Sequence, residues 1–396
     1  VAVKKIIDPF HDHTDSKRLL REIRLLRSLH HPNVLHLLDI MPPPNRGVDG
    51  WKDVYLVTKL FDTNLHRVIY SGQPLTDAHV QYILWQLFRA LRYLHRAGVV
   101  HRDMKPTNLL LNRDCELALA DFGLARHMPT SSEKRASMSL KDEPRSKSGQ
   151  LTKYVVTRWY RAPELLVSSD WYGEAIDVWS VGCILAEMLG RTPLFPGRDA
   201  LSQLRLVVQT LGVKPEEVEW VPSSKAVEYI RALAPPPPLP LEQRYPRAQP
   251  AALALLGGML CFEPDRRASV SASLAHPYLS SLHTINDEPA APRFVFDEPT
   301  SHSERSLRRS LLEQARRFRP DACYSTPQPS PVEVGRASPF SDAAQTTPAH
   351  AKRRRPDDTD NCGDDGDDPK VPPPLGRRMS PRVAAQHGGS TSQQRL

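Results

Sequence analysis

The stretch HRDMKPTN, His101–Asn108, sets an imidazole, a guanidinium, a carboxylate, an ammonium and a carboxamide side by side, with a proline among them. It follows Leu75–Ala97, where Val80, Leu84, Leu87, Leu91 and Leu94 recur on one helical face. Thr76 reads as the N-cap of that helix and Gly98 as its C′ glycine, so the charged stretch begins just past a helix end. An isolated Asp or Lys in such a loop is ordinarily only solvated. What changes the odds is company in a fixed order. VAVK (Val1–Lys4) precedes the stretch, and DFG (Asp121–Gly123) and APE (Ala162–Glu164) follow it.

The surrounding pattern is a small strand-containing part followed by a larger helical part. Val1–Ile7 and Asp53–Phe61 read as strands. Ser16–His30 reads as a helix burying Leu19, Ile23 and Leu26. Asp177–Leu189, closed by Gly190, and Ala251–Phe262 are apolar enough to be buried helices. Pro129–Gln150 is a polar loop, and the proline run in Ala234–Pro240 is predicted to be extended. Residues 297–396 combine many prolines and charges with few Leu, Ile, Val or Phe, too few to offset chain entropy. They are expected to be a disordered tail. Within them Ser306–Phe318 carries Leu307, Leu311, Leu312 and Ala315 at helical spacing.

Composition limits the classes. The chain has 396 residues, 40% hydrophobic and 25% charged, enough for a self-sufficient core. A net charge of +8 is too small to argue for a nucleic-acid partner. No apolar run approaches the roughly 18 residues of a membrane span, and no signal peptide is read at the start. The five cysteines are scattered and form no CxxC pair, which disfavours zinc and a secreted disulfide framework and favours a reducing intracellular compartment.

In this order the four segments resemble the motifs of the eukaryotic protein kinases. The resemblance implies an α+β bilobal fold: an N-lobe over 1–60, a mainly helical C-lobe over 61–296 with its activation segment at 121–164, then the tail. Phosphoryl transfer needs positioning and charge neutralisation above all. Asp103 is expected to accept the substrate hydroxyl proton, with Lys105 offering a cation to the moving phosphoryl group. Asn108 and Asp121 are hard oxygen donors suited to Mg²⁺. Lys4 is expected to reach the ATP phosphates, held by Glu22. By the same resemblance Asp177 anchors the HRD backbone, and Glu164 and Arg267 form a buried ion pair. The first residue is Val and the chain holds no G-x-G-x-x-G. It is therefore expected to be a fragment of a longer reading frame, entering the fold on the strand that bears Lys4.

LTKYVVTRWYRAPELL (Leu151–Leu166), DVYLVTKLFDTNLHRVI, SVGCILAEML, PLFPGRDALSQL and LAHPYL narrow the resemblance to the mitogen-activated protein kinases. That implies dual phosphorylation at Thr152 and Tyr154 by an upstream dual-specificity kinase, reversal by phosphatases, and substrates with Ser or Thr before Pro. Arg18, Arg21, Arg102 and Arg126 would take phosphorylated Thr152, and Arg158 and Arg161 phosphorylated Tyr154. Val156, Thr157 and Arg158 would form the pocket for the proline. Thr58 stands at the gatekeeper position, Lys59, Leu60 and Phe61 form the hinge, and Leu110 is the floor of the adenine pocket. The sequence departs from the family at Lys153, in the added Pro129–Gln150, and in the docking patch, where Thr284 replaces the first Asp and Asp287 and Glu288 remain. KRRR (Lys352–Arg355) reads equally as an import signal or a solvated run beside the acidic Asp357–Asp368, so the cytoplasm, with access to the nucleus, is the expected location. The alternative class is a catalytically silent kinase-like scaffold binding partners through the C-lobe; the presence of Lys4, Glu22, Asp103, Lys105, Asn108 and Asp121 weighs against it.

Overall fold

The computed structural model describes residues 1–41, 52–128, 158–167, 173–233, 237–283, 289–295 and 304–319. Strands β1 (Ala2–Ile6), β2 (Leu37–Met41) and β3 (Val54–Thr58) form an antiparallel sheet in the order β1-β3-β2, with Lys4 opposite Leu56. Helix α1 (His13–Ser28) starts three residues before the predicted Ser16, because the Asp12 side chain accepts the Thr14 N–H and caps it. Its inner face buries Leu19, Ile23, Leu25 and Leu26.

The larger part begins with α2 (Leu65–Ile69) and α3 (Asp77–Arg96). Thr76 caps α3 as predicted, in a capping box with His79, and Gly98 takes φ 77° just past its end. Two short ladders flank the loop after α3: β4 (Thr63–Asn64), β6 (Leu109–Leu111) and β7 (Leu117–Leu119) in one, β5 (Val99–Val100) with β8 (Arg126–His127) in the other. Among the described residues there follow the helices α4 (Pro163–Val167), α5 (Ala175–Gly190), α6 (Ala200–Leu211), α7 (Ser224–Ala232), α8 (Leu241–Arg244), α9 (Pro250–Met259) and α10 (Val270–Leu274). Among the described residues no helix is long and apolar enough to cross a membrane.

The end of α5 corrects the sequence reading. Gly190 is the last helical residue and not the left-handed one past the end, and a Cβ there would come 2.9 Å from the Tyr245 ring. The left-handed residue is Arg191, at φ 56°. Its strain is offset by its guanidinium, which donates to the Ile69 and Gln73 carbonyls at 2.6 and 2.7 Å. Gly182 lets α9 approach α5, since a Cβ there would meet Leu260 at 2.8 Å.

The helix predicted within the tail is real and is not free. Helix α11 (Glu304–Arg316) buries Leu307, Leu311, Leu312 and Ala315 against α1 and β2. Arg308 lies 4.0 Å above the Phe10 ring, and Arg319 pairs with Asp39 of β2. The folded part therefore runs past residue 297, because an amphipathic face of this size is stable only when something covers it.

The turn between α1 and β2 is stitched to α3. Asn33 donates to Gln86 Oε1 at 2.9 Å and to the Leu117 carbonyl at 3.0 Å, and Gln86 in turn accepts the Leu117 N–H. Beside them the buried His31 ring accepts the Asn33 N–H at Nδ1 and lies against Tyr93. Burial, with Arg89 and Arg92 nearby, lowers the His31 pKa to about 4. Unfolded, the ring titrates near 6.5, so between these values the unfolded chain binds a proton that the folded chain refuses. Stability is full above pH 6.5 and falls as the pH drops toward 4, by on the order of 2–3 kcal/mol from this residue. Urea unfolding across pH 4–7 should show that slope, and His31→Gln should flatten it; an unchanged slope in the variant would exclude this source.

Candidate functional site

The loop after β5 carries the decisive cluster. Arg102 sits at φ 68°, a left-handed conformation that a long side chain adopts only when held there. The holding group is Asp177 in the first turn of α5. Its Oδ2 accepts the His101 N–H and its Oδ1 the Arg102 N–H, both at 2.9 Å. His95, from the last turn of α3, lies 2.9 Å from the same Oδ2. Asp177 is fully buried. Burial alone would raise its pKa, but the hydrogen bond and charge of His95, the nearby His101 and the Arg102 N–H outweigh burial and keep it low. The carboxylate is thus an ionised clamp. The His101 ring, packed edge-on against buried Phe122 at 5.0 Å, faces the Ala120 carbonyl at 3.2 Å and fixes DFG against the loop.

With the backbone fixed, the side chains converge. Lys105 Nζ lies 2.6 Å from Asp103 Oδ2. Asn108 donates through Nδ2 to the Asp103 carbonyl at 2.9 Å and to Oδ2 at 3.2 Å, which leaves its Oδ1 as an available oxygen donor. Asp121, at φ 68°, begins DFG. Across from it Lys4 Nζ pairs with Glu22 Oε1 at 2.9 Å. Burial works against the Lys4 charge, but Glu22 and, beyond it, Asp121 outweigh it and raise the pKa. Burial, with Asp121, raises the Glu22 carboxyl against the pull of Lys4. The sheet and α1 thereby supply a cation, and the loop a carboxylate and two oxygen donors, to one cleft.

Thr58 ends β3, and Lys59 and Phe61 follow it, the Lys59 ammonium 5.3 Å from the Phe61 ring. Leu110 lies in β6 opposite Asn64. Of the six arginines assigned to the phosphates, Arg18 contacts Asp15 and Arg21 donates to the Gly123 carbonyl. Arg126 donates to the Ala125 carbonyl at 2.9 Å, and Arg102 sits on the clamped loop. Burial and Arg158 lower the Arg161 pKa, while Asp103 pulls it up, so Arg161 lies within the field of the loop carboxylate. Thr152, Tyr154, Val156, Thr157, Asp287 and Glu288 lie outside the described residues.

The segment 158–167, which follows the phosphorylation lip predicted around Thr152 and Tyr154, is pinned by residues the sequence reading passed over. Glu187 accepts the Tyr160 hydroxyl at 2.6 Å and the Tyr70 hydroxyl at 2.8 Å. Gln203 donates to the Trp159 carbonyl at 3.4 Å, and the Trp159 indole donates to the Gly197 carbonyl at 3.2 Å. A signal was present: Asp177 and Glu187 are the two charged residues of an otherwise largely apolar α5, and a carboxylate inside such a helix requires partners. At the end of the segment Arg267 meets Glu164 through two bonds of 2.8 and 3.1 Å, as expected, and also donates to the Ala175 and Cys261 carbonyls.

The chain matches the Protein kinase domain family over residues 1–279. It is 51% identical over 284 residues to mitogen-activated protein kinase 4 of Oryza sativa subsp. japonica, covering 72% of each chain. It is 48% identical over 308 residues to mitogen-activated protein kinase 4a of Physcomitrium patens, covering 77% of each, and 46% identical over 327 residues to mitogen-activated protein kinase 6 of Oryza sativa subsp. japonica, covering 82% of each.

Both side chains of the Glu164–Arg267 pair are out of solvent. Arg267→Ala strands a buried carboxylate and should cost about 3–5 kcal/mol, read as a lowered urea midpoint. The double variant Glu164→Gln/Arg267→Leu should lose less than the single one, since no unpaired charge remains; equal losses would assign the effect to packing.

Proposed function

Since the chain belongs to the mitogen-activated protein kinases, a family of Ser/Thr protein kinases, we propose that its cleft performs phosphoryl transfer with the residues described above and that phosphorylation of the lip switches it on. The observation that carries the reading is the Asp103 carboxylate held between Lys105 at 2.6 Å and the Asn108 amide at 3.2 Å on a backbone clamped by Asp177.

Asp103 orients the hydroxyl of the acceptor Ser or Thr and takes its proton as the oxygen attacks. Lys105 steadies that carboxylate and presents its charge to the transferred group. Lys4, fixed by Glu22, faces the phosphates of ATP. Thr58, Lys59 and Phe61 border the adenine, with Leu110 beneath it. The donor set fits Mg²⁺: Asn108 has its amide nitrogen engaged and its oxygen available, and Asp121 adds a carboxylate. When bound, the ion supplies charge neutralisation on the phosphate oxygens. Lys4, Glu22, Asp103, Lys105, Asn108 and Asp121 are all present, which weighs against the rival reading of a silent scaffold.

Activation rests on charge. Phosphates at Thr152 and Tyr154 would add roughly −3 to −4 near neutral pH. Arg18 and Arg21 on α1, Arg102 beside Asp103, Arg126 after DFG, and Arg158 and Arg161 after the lip offer the matching cations. Pairing would tie α1, and so the Lys4–Glu22 pair, to the catalytic loop. Substrates with Pro after the acceptor, an upstream dual-specificity kinase, opposing phosphatases, signalling in the cytoplasm with nuclear access, and a docking role for Asp287 and Glu288 complete the proposal.

Asp103→Asn keeps the shape but removes the proton acceptor, and it should lower kcat by about 10² or more with the fold intact by circular dichroism. Turnover like that of the parent protein would refute the assignment. For the switch, Thr152→Ala and Tyr154→Phe should each stay near the unphosphorylated rate after treatment with an activating kinase. Mass spectrometry of the active parent should find phosphate on both residues, and full activity with neither modified would overturn the switch.

A further inference from the structure

Trp159 is held by its backbone and by its side chain at once. Its carbonyl accepts a hydrogen bond from Gln203 Nε2 at 3.4 Å, and its indole N–H donates to the Gly197 carbonyl at 3.2 Å. The Gly197 N–H in turn donates to Gln203 Oε1 at 3.0 Å. The three residues close a ring of hydrogen bonds that joins the segment 158–167, the loop that precedes α6 and the first turn of α6. Gln203 is fully buried, so the amide is satisfied by protein groups and not by solvent. Glycine is required at 197, because a Cβ there would come 2.6 Å from Gln203 Cα and 2.7 Å from its N. The start of α6 is fixed as well: Asp199 accepts the Ser202 N–H at 2.7 Å, and the Asp199 N–H donates to the Ser202 hydroxyl at 2.9 Å. Hydrogen bonds linked in this way polarise one another, so opening the ring at one point weakens it at the others.

The ring reaches toward the catalytic carboxylate. The turn that carries Trp159 closes on itself, the Arg161 N–H donating to the Arg158 carbonyl at 3.0 Å. Tyr160 is fixed from α5 by Ser180, whose hydroxyl donates to the Tyr160 carbonyl at 2.8 Å, and by Glu187. The turn ends in Arg161, which lies within the field of Asp103. An acceptor hydroxyl that has to reach Asp103 therefore passes this turn. The groups assigned to ATP, Lys4, Glu22 and Thr58, come instead from the sheet and α1.

We propose, resting on the phosphoryl transfer proposed above, that Gln203 is a positioning residue for the polypeptide that accepts the phosphoryl group: through Trp159 it holds the turn 158–161 at the spacing from Asp103 that the acceptor needs. A small displacement of such a wall is enough to misplace a bound acceptor. A side chain that acts through the wall of the acceptor's approach changes how the acceptor binds and leaves the ATP side as it was.

The experiment measures initial rates of phosphoryl transfer by the whole chain after treatment with an activating kinase. A peptide with Ser before Pro is varied at saturating Mg-ATP, and Mg-ATP is then varied at saturating peptide. Gln203→Met keeps the length of the side chain and removes both ends of the amide. It should raise the KM for the peptide about tenfold, the equivalent of one buried hydrogen bond, with kcat and the KM for ATP within about twofold of the parent. Trp159→Phe keeps a ring and removes the indole N–H, and should move the same constant in the same direction. The double variant should lose less than the product of the two single losses, since either change opens the same ring. Ser269→Ala removes the cap of α10; it should lower the urea midpoint and leave the peptide KM unchanged, which separates positioning from stability. A parent without transfer would refute the proposed function and this inference with it. A parent that transfers, with a peptide KM unmoved in both Gln203→Met and Trp159→Phe, or with the peptide and ATP constants moved together, would overturn this inference alone.

Discussion

One buried carboxylate sets the conditions for the rest of the cleft. Asp177 has no solvent to stabilise its charge, so its oxygens must be met by donors, and the donors are the N–H groups of His101 and Arg102 and the ring of His95. Meeting them forces Arg102 into a left-handed conformation that it would not otherwise hold. The turn so created aims Asp103, Lys105 and Asn108 at one another. The loop that carries Asp103 is therefore shaped by the fold alone, and a site so preorganised needs little reorganisation to act.

The same helix that brings Asp177 also brings Glu187, about three turns away. Asp177 holds the loop that carries Asp103, and Glu187 holds Tyr160 in the segment that follows the lip. One apolar helix thus sets the relative position of the Asp103 loop and the segment that holds Tyr160. The other side of the cleft hangs on α1, whose inner face is packed and whose Glu22 reaches Lys4. Helix α1 is thus touched by β2, by α11 and, through Arg21, by DFG.

Much of this was legible in the sequence. The four motifs named the loop residues, the cap residues Thr76 and Gly98 set the ends of α3, and the pairs Lys4–Glu22 and Glu164–Arg267 met as expected. What was not legible depends on partners distant in the chain. The periodicity of α11 shows an apolar face but not what covers it, so a helix that packs on α1 read as part of a tail. Glu187 finds tyrosines 27 and 117 residues away, and nothing local announces them. The stop of α5 was misplaced because Gly190 serves close approach to Tyr245, while Arg191 bears the positive φ with help from two carbonyls of another segment. In each case local propensity was overruled by a tertiary contact.

The Asp177 carboxylate holds the loop of His101–Asn108 in its shape. Amide hydrogen exchange at His101 and Arg102 tests it most directly, compared between the parent protein and Asp177→Asn, with the Leu87 and Leu91 amides of α3 as internal references. Both loop amides should be protected in the parent. In the variant, whose side-chain nitrogen cannot accept a hydrogen bond, at least one should exchange about tenfold faster or more while the α3 references hold. Unchanged protection of both loop amides in Asp177→Asn would contradict the account.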